Sequence, residues 1–311
     1  MFEYRPIIQT IQLNKLHFNL DVLRLDLIDP LVSGNKWFKL KHNLTKAVHN
    51  NYKTILTFGG PHSNHIAAMA SACQSLKLNS IAIVRGHASD AFSPTLKQAQ
   101  NNGMVLHFIS RQDYHNKTEP SFLQELKKQF GEFYLVPEGG NNDEGIKGCM
   151  EILNPNWNYD YVFCACGTGA TFAGLLASAN PQQKVIGINV LKGENSMPQE
   201  IQKNLKKIFP DKNYFIQGNE SLENNFLKGN AIINTFAFSG YAKFNQNLVD
   251  FKTRFEKENA IPLDYVYTNK LFYAIEEMMI SEKIKSKAKV LAIHSGGLQG
   301  NVAFEQRFFK S

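Results

Sequence analysis

Lys36 is the residue of this 311-residue chain whose position most needs a chemical explanation. It follows the turn-forming residues Ser33, Gly34 and Asn35, and after it apolar residues recur at helical spacing. A helix that begins at Asn35 would place Lys36 in its first turn, where the helix dipole disfavours a cation. Lys36 is therefore either a solvated surface lysine, which is the common case, or a lysine in a dry cleft that serves as nucleophile and base.

Three glycine-containing loops follow predicted strands, and each has the chemistry to bind part of a ligand. Their sequences are GGPHSN (59–64), CGTGAT (166–171) and HSGG (294–297). Sites in α/β proteins usually lie in such loops, at the carboxyl ends of parallel strands. In the second loop, two glycines around Thr168 would let successive backbone N–H groups point inward and bind a phosphate. This loop is neither a Walker A sequence nor a full dinucleotide fingerprint, because Phe172 occupies the third glycine position.

Structural roles also account for parts of these loops. Ser63 is a good N-cap for a following helix, and His294 is more often a satisfied core histidine than a ligand group. It is the combination of a lysine and a phosphate loop in one α/β chain that indicates pyridoxal phosphate. A lysine amine condenses with the aldehyde of that cofactor, and a cradle of amides holds its phosphate.

The composition excludes several other classes of protein. With 43% hydrophobic and 20% charged residues, the chain is an ordinary globular protein. The net charge of +7 comes from scattered lysines without a nucleic-acid-binding motif, so anionic small molecules are the expected partners. The four cysteines contain no C-x-x-C pair, and no metal site is expected. Because membrane-spanning and signal-peptide patterns are also missing, we expect a cytoplasmic protein.

Strand and helix patterns alternate along the chain. Val- and Ile-rich runs predict strands at 54–58, 80–84, 104–109, 133–137, 160–165, 184–190 and 289–295. Amphipathic segments predict helices from Asn35 and at 64–76, 93–101, 118–130, 171–179, 198–208, 246–258 and 270–282, and a further helix from Gly296-Gly297. This alternation predicts an α/β fold with two twisted, mostly parallel sheets that helices cover.

The two sets of strands predict two domains. We expect a small domain of residues 39–147, inserted into a large cofactor-binding domain of residues 1–38 and 148–311. The second glycine loop belongs to the large domain and the first to the small one, so a ligand site would lie in the cleft between them.

Five short motifs occur in one order along nearly the whole chain. They are Gly34-Asn35-Lys36 with Lys39-Leu40, Gly59-Gly60 with Ser63-Asn64, Gly167-Thr168-Gly169-Ala170-Thr171 with Ala173-Gly174, Val266-Tyr267-Thr268 before Lys270, and His294-Ser295-Gly296-Gly297. In these five motifs and in their order, the chain resembles the 1-aminocyclopropane-1-carboxylate deaminase and D-cysteine desulfhydrase family. That family belongs to the tryptophan-synthase-β-like, or fold type II, enzymes that use pyridoxal 5′-phosphate. The resemblance implies the same architecture, the same cofactor and a homodimer.

The resemblance also implies which residues bind the cofactor. Lys36 matches the lysine that holds it, and Asn64 matches the asparagine that hydrogen-bonds the 3′ oxygen of its ring. Thr268 matches the partner of the pyridine nitrogen. The phosphate would lie on the loop formed by Gly167, Thr168, Gly169, Ala170 and Thr171.

Substrate-binding residues follow from the same resemblance. They are Ser63, Asn64, His65, Tyr241 and Tyr267, of which Ser63 would meet the substrate carboxylate and relay a proton. Tyr241 and Tyr267 match the two active-site tyrosines of the family. Residues 242–244, Ala-Lys-Phe, depart from the Gly-x-Pro that usually follows the first tyrosine, and His62 stands where the deaminases tend to carry glutamine.

The identity of Thr268 favours one reaction over another. A glutamate at this position, as in the deaminases, would hold a proton on the pyridine nitrogen, whereas a neutral hydroxyl stabilises that proton less. Threonine is typical of the desulfhydrases, so we expect β-elimination from a small amino acid. D-cysteine is the implied substrate, with pyruvate, ammonia and hydrogen sulfide as products. The alternatives are ring-opening deamination of 1-aminocyclopropane-1-carboxylate and a non-catalytic protein that holds a ligand in the same cleft.

Overall fold

The computed structural model describes residues 4–13, 18–87, 92–191, 196–217, 227–238, 240 and 243–308, except for the side chains of residues 303, 307 and 308. The strands are β1 (Ile8–Leu13), β2 (Phe18–Arg24), β3 (Thr54–Gly59), β4 (Asn79–Arg85), β5 (Val105–Ile109), β6 (Tyr134–Val136), β7 (Tyr161–Cys166), β8 (Lys184–Asn189), β9 (Ala231–Ile233) and β10 (Val290–His294). The helices are α1 (Asn35–His49), α2 (Asn64–Ser75), α3 (Pro94–Asn101), α4 (Arg111–Tyr114), α5 (Pro120–Phe130), α6 (Asp143–Cys149), α7 (Ala170–Ser178), α8 (Met197–Ile208), α9 (Gln246–Asn259), α10 (Thr268–Ile280) and α11 (Gly300–Phe308).

The described strands form two sheets, with the orders β1-β2-β10-β7-β8-β9 and β5-β4-β3-β6. All paired neighbours are parallel except β1 and β2, which form an antiparallel pair. Buried apolar residues on the strands pack against the helices in three clusters. The predicted α/β class with mostly parallel, helix-covered sheets is confirmed.

The sequence patterns missed three strands. β1 and β2 alternate between exposed and buried residues along much of their length, which is typical of an antiparallel pair with one solvated face, whereas the prediction rested on continuous apolar runs. β9 is only three residues long. The helix expected from Gly296-Gly297 begins instead at Gly300, because Gly296 and Gly297 have φ values of +75° and +98°.

The strands of the two sheets come from separate parts of the sequence. The larger sheet takes its strands from residues 8–24 and 161–294, and the smaller one from residues 54–136. The boundaries predicted at 38/39 and 147/148 fall inside α1 and α6. The division into two domains at those positions stays a prediction.

Glycines allow α1, α6 and α7 to pack at very short distance. A Cβ atom added to Gly148 of α6 would lie 2.0 Å from the backbone oxygen of Phe38 in α1. One added to Gly174 of α7 would lie 2.3 Å from Cβ of Cys149 in α6. Neither gap leaves room for a side chain, so α6 fixes the position of α1 relative to α7.

We predict that Gly148→Ala destabilises the protein. Inside a helix this change normally stabilises by about 1 kcal/mol. Here the new methyl group meets the Phe38 carbonyl, so we expect the free energy of unfolding to fall by about 1–3 kcal/mol. Urea unfolding measures the change. Lys147→Ala, at the exposed neighbouring position of the same helix, is the control and should alter stability by less than about 0.5 kcal/mol. A Gly148→Ala protein as stable as the wild type would contradict the packing argument.

Candidate active site

Lys36 lies at the start of α1, directly against the loop that follows β10. Gly34, just before the helix, has φ +68°, and a Cβ atom there would lie 1.9 Å from the backbone oxygen of Ser295. The backbone N–H of Asn35 donates to that same oxygen at 3.2 Å. The first and last of the five motifs are therefore in backbone contact, and only glycine fits at this point.

Asn35 connects the amine of Lys36 to residues 167–171, the phosphate-type loop between β7 and α7. Its side-chain oxygen accepts a hydrogen bond from Lys36 Nζ at 2.8 Å. Its side-chain nitrogen donates to Thr171 Oγ1 at 2.8 Å, and both residues are buried. Because Thr171 lies in the first turn of α7, this pair of hydrogen bonds holds the lysine amine at a fixed place beside the N-terminus of that helix.

The environment of Lys36 makes its amine easy to deprotonate. Loss of solvation lowers the pKa of Lys36 to about 7, and the neighbouring Lys39 lowers it as well, while Asp264 acts in the opposite direction. Near neutral pH a large part of the population therefore carries a neutral amine. That form can attack an aldehyde or remove a proton, which is the chemistry expected of this lysine.

Lys39 is a second buried lysine, to which the sequence assigned no role. Its side chain is only 4% exposed, its amine donates to the backbone oxygen of Gly139 at 3.0 Å, and burial lowers its pKa. A Cβ atom on Gly139 would lie 2.8 Å from Cγ2 of Thr168, so this amine lies close to the phosphate-type loop. Its spacing from Lys36, three residues along one helix face, was the available signal.

The loop between β7 and α7 has the shape of an anion cradle. Gly169 has φ +83°, and a Cβ atom there would lie 2.8 Å from a side-chain carbon of Ile201. A Cβ atom on Gly167 would lie 3.2 Å from the ring of Tyr267. Thr168 Oγ1 is buried without a hydrogen-bond partner. The loop leads into the N-terminus of α7, whose free amides favour an anion.

The loop before α2 faces the loop after β10. Ser63 caps α2, since its hydroxyl oxygen accepts from the backbone N–H of Ile66 at 3.4 Å. The hydroxyl proton of Ser63 is not needed for this cap. Asn64 Oδ1 is buried without a hydrogen-bond partner, and Asn64 Nδ2 lies 2.9 Å from the place where a Cβ atom of Gly297 would be.

His65 contributes a neutral imidazole. Thr57 donates its hydroxyl proton to the backbone oxygen of Val136, so in the 2.9 Å contact with His65 the histidine Nε2 must be the donor. The lone pair of Nδ1 is then buried without a partner. Burial, together with Lys36 and Lys39, lowers the pKa of His65 to about 3, so the ring offers an acceptor and no charge.

Thr268 is fully buried at the start of α10 and is hydrogen-bonded to Asp264. From the sequence alone Thr268 is an isolated hydroxyl, and Asp264 was missed. The available signal was an aspartate shortly before a predicted helix, a residue type whose side chain hydrogen-bonds the backbone N–H groups that follow it.

Two other residues considered from the sequence have different outcomes. His294 is a satisfied core histidine, because its Nε2 lies 2.7 Å from the backbone oxygen of Pro262 and its Nδ1 lies 3.1 Å from Asp26 Oδ1. Burial would raise the pKa of Asp26, but hydrogen bonds from His294 and Arg24 lower it to about 2. Tyr241 lies outside the residues that the structure describes.

The described residues contain neither a candidate metal site nor a candidate membrane-spanning helix. Within those ranges, His, Cys, Asp and Glu side chains form no group of three or more that could bind a metal ion. Over the same parts of the chain, no helix has the length and apolar character needed to cross a membrane.

Comparisons with known proteins agree with the resemblance. The family model described as pyridoxal-phosphate dependent enzyme matches residues 6–296. A Thermotoga maritima protein provisionally named 1-aminocyclopropane-1-carboxylate deaminase is 28% identical over 306 residues, covering 94% of this chain and 93% of that protein. The mitochondrial bifunctional D-cysteine desulfhydrase/1-aminocyclopropane-1-carboxylate deaminase of Arabidopsis thaliana is 28% identical over 294 residues, covering 86% of this chain and 70% of that protein. A solved structure described as an ACC deaminase homologue has the same fold, with a TM-score of 0.83 at 22% identity over 99% of this chain and 94% of that one.

These matches imply pyridoxal 5′-phosphate as the cofactor, and the residues of the site fit it. The group needs a lysine amine, a cradle for its phosphate and polar partners for its ring. The site has Lys36, the loop before α7, and three buried polar atoms without hydrogen-bond partners. Those atoms are Asn64 Oδ1, His65 Nδ1 and Thr168 Oγ1. The roles of the individual residues stay predictions.

We predict that Lys36 of the cofactor-free protein reacts with amine reagents at unusually low pH. Only the neutral amine is nucleophilic, so its reactivity should rise with pH and reach half its maximum near pH 7. Trace acylation followed by peptide mapping, repeated between about pH 6 and about pH 10, measures the profile. Lys128, an exposed lysine in the same digest, is the reference. If the profile of Lys36 coincides with that of Lys128, the proposed environment of Lys36 is wrong.

Proposed function

We propose, since this chain belongs to the pyridoxal-phosphate dependent enzyme family, that it catalyses β-elimination from a small amino acid. D-cysteine is the proposed substrate, and pyruvate, ammonia and hydrogen sulfide are the products. The observation that carries the proposal is the placement of the Lys36 amine, which Asn35 holds at 2.8 Å beside the N-terminus of α7 and whose pKa is lowered by burial to about 7. A base with that pKa is matched to removal of an α-proton near neutral pH.

When bound, the cofactor supplies an aldehyde for amino groups and an electron-withdrawing ring that acidifies the α-C–H bond of the amino acid. Lys36 would hold the cofactor through its amine and, when that amine is free, would take the α-proton of the substrate on Nζ, so that the β-substituent could leave with its bonding electrons. Asn35 holds Nζ in place through its hydrogen bond to the amine.

Ser63 and the N-terminus of α2 are proposed to bind the substrate carboxylate. The hydroxyl oxygen of Ser63 already accepts from the backbone of α2, so its proton is available to the ligand. Helix N-termini favour negative groups. The same hydroxyl is placed to pass a proton at the end of the reaction. Tyr267, beside Gly167, is proposed to line the opposite side of the substrate space.

The choice of D-cysteine rests on what each reaction demands. Elimination from cysteine needs an α-hydrogen and a stable leaving group, and a thiolate is a good one. The α-carbon of 1-aminocyclopropane-1-carboxylate carries no hydrogen, so opening its ring requires attack on the ring itself. The resemblance matches Thr268 to a position where the deaminases carry a glutamate, so no carboxylate would touch the ring directly, and this favours elimination.

Ring-opening deamination is the second candidate. It is supported by the name of the Thermotoga maritima relative and by the double name of the Arabidopsis thaliana relative. A non-catalytic ligand-binding role is disfavoured, because such a role needs no amine with a lowered pKa. A homodimer and a cytoplasmic location stay predictions.

The products distinguish the two reactions. We predict that D-cysteine yields pyruvate with a kcat/KM at least about tenfold above that for release of 2-oxobutanoate from the cyclopropane substrate. L-cysteine, D-serine and β-chloro-D-alanine, assayed for pyruvate, define the configuration and the leaving group. Equal or greater turnover of the cyclopropane substrate would establish the deaminase instead.

Two variants check that the turnover arises at this site. Lys36→Ala should lower kcat with D-cysteine by about 10³-fold, because it removes the base. Lys41→Ala is the matched control. Lys41 lies in the same helix and its amine pairs with Glu151 near the surface, so activity should stay at the wild-type level. Full activity in Lys36→Ala would place the chemistry elsewhere.

A further inference from the structure

Asp264 is a buried carboxylate just before the turn that leads into α10. It is 2% exposed. Its Oδ2 accepts from the backbone N–H groups of Val266 and Tyr267, both at 2.9 Å. Its Oδ1 accepts from the backbone N–H of Thr268 at 2.7 Å and from the hydroxyl of Thr268 at 2.7 Å. All four groups donate, so both carboxyl oxygens of Asp264 act as acceptors in these hydrogen bonds.

The hydroxyl of Thr268 makes two hydrogen bonds, one as donor and one as acceptor. Its single proton goes to Asp264 Oδ1 at 2.7 Å, and one of its lone pairs accepts the backbone N–H of Asp264, also at 2.7 Å. A hydroxyl has one proton and two lone pairs. Only one lone pair therefore remains, and toward any further partner Thr268 can accept but cannot donate.

The pair lies within the candidate site. A Cβ atom on Gly297 would be 3.4 Å from the carboxyl carbon of Asp264 and 2.9 Å from Asn64 Nδ2. The charge of Asp264 also acts on Lys36, whose pKa it raises against the effect of burial. Asp264, Asn64 and Lys36 are thus close enough to act on one bound group.

We propose that Asp264 is a positioning residue that fixes the hydroxyl of Thr268 as a hydrogen-bond acceptor, so that the cofactor binds with its ring nitrogen protonated. The inference rests on the proposed function and on the match of Thr268 to the family's partner of the pyridine nitrogen. An unprotonated pyridine nitrogen would bring its lone pair against the lone pair of the hydroxyl, which is repulsive. A protonated nitrogen donates to it, and the negative charge of Asp264, one hydrogen bond away, stabilises the cation.

With Asp264 behind it, Thr268 would affect the ring differently from an isolated hydroxyl. Alone, a neutral hydroxyl would do little to keep the ring protonated. Coupled to Asp264, it passes on part of the effect of a carboxylate while keeping that charge out of direct contact with the ring. The ring then stays electron-withdrawing enough for α-proton removal. Asp264→Asn and Thr268→Val should make the ring less electron-withdrawing. Thr268→Ser, which keeps the hydroxyl, should leave the ring as it is in the wild type.

The test is the ¹⁵N chemical shift of the ring nitrogen in the cofactor-loaded protein, reconstituted with ¹⁵N-labelled pyridoxal phosphate. In the wild type and in Thr268→Ser, the resonance should stay at the position of a protonated pyridine between about pH 6 and about pH 9. In Asp264→Asn it should move to the position of the unprotonated ring. Thr268→Val should do the same. It removes the acceptor of the Asp264 backbone N–H but keeps the three backbone N–H bonds to the Asp264 carboxylate, so it decides the question if Asp264→Asn fails to fold.

The outcomes separate this inference from the proposed function. An unprotonated ring nitrogen in the wild type would overturn the inference, and so would a protonated one in Thr268→Val. Either result leaves the β-elimination proposal standing. If the cofactor-free wild type gains no visible absorption band with pyridoxal phosphate, the proposed function fails and the inference fails with it.

Discussion

The contact between Gly34 and Ser295 is the constraint on which the site depends. Any side chain at position 34 would meet the backbone of the loop after β10, since its Cβ atom would lie 1.9 Å from an oxygen atom. Because the two backbones touch, α1 must begin at this point, and Lys36 is carried to the carboxyl end of the larger sheet. Asn35 then extends the constraint to α7 through Thr171. The position of the lysine amine is thus set by backbone packing and one amide side chain.

Around that contact the protein keeps several charges away from water. Lys36 and Lys39 lie close enough for Lys39 to lower the pKa of Lys36, and Asp264 is buried behind Thr268. A fourth group, Lys270, is fully buried, and its amine donates to the backbone oxygens of Ala237 and Gly240 at 2.8 and 2.7 Å. Burial of each charge costs stability. Proteins accept such costs where a shifted pKa or a fixed dipole serves the chemistry.

Much of this arrangement follows from local sequence, and the rest depends on contacts between distant segments. The strand, turn and cap that lead to Asn64 were predicted because an apolar run, two glycines and Ser63 carry strong local preferences. The β1–β2 pair was missed because β1 is largely exposed and β2 starts with alternating buried and exposed residues, so neither strand is a continuous apolar run. The spacing of Lys39 from Lys36 placed both on one helix face, but the hydrogen bond of the Lys39 amine to Gly139, 100 positions further along the chain, could not be predicted from the local sequence. Asp264 is a typical turn residue before a helix, but its hydrogen bond to the hydroxyl of Thr268 required the structure.

The most direct test of the account is to find which lysine holds the cofactor. Pyridoxal phosphate is added to the purified protein, the bond is reduced with borohydride, and the labelled peptide is identified by mass spectrometry. The account predicts a single label on Lys36, because its amine has a pKa lowered to about 7 and is held beside the phosphate-type loop. A label on Lys39 or Lys270, the other two buried lysines named above, would contradict the account.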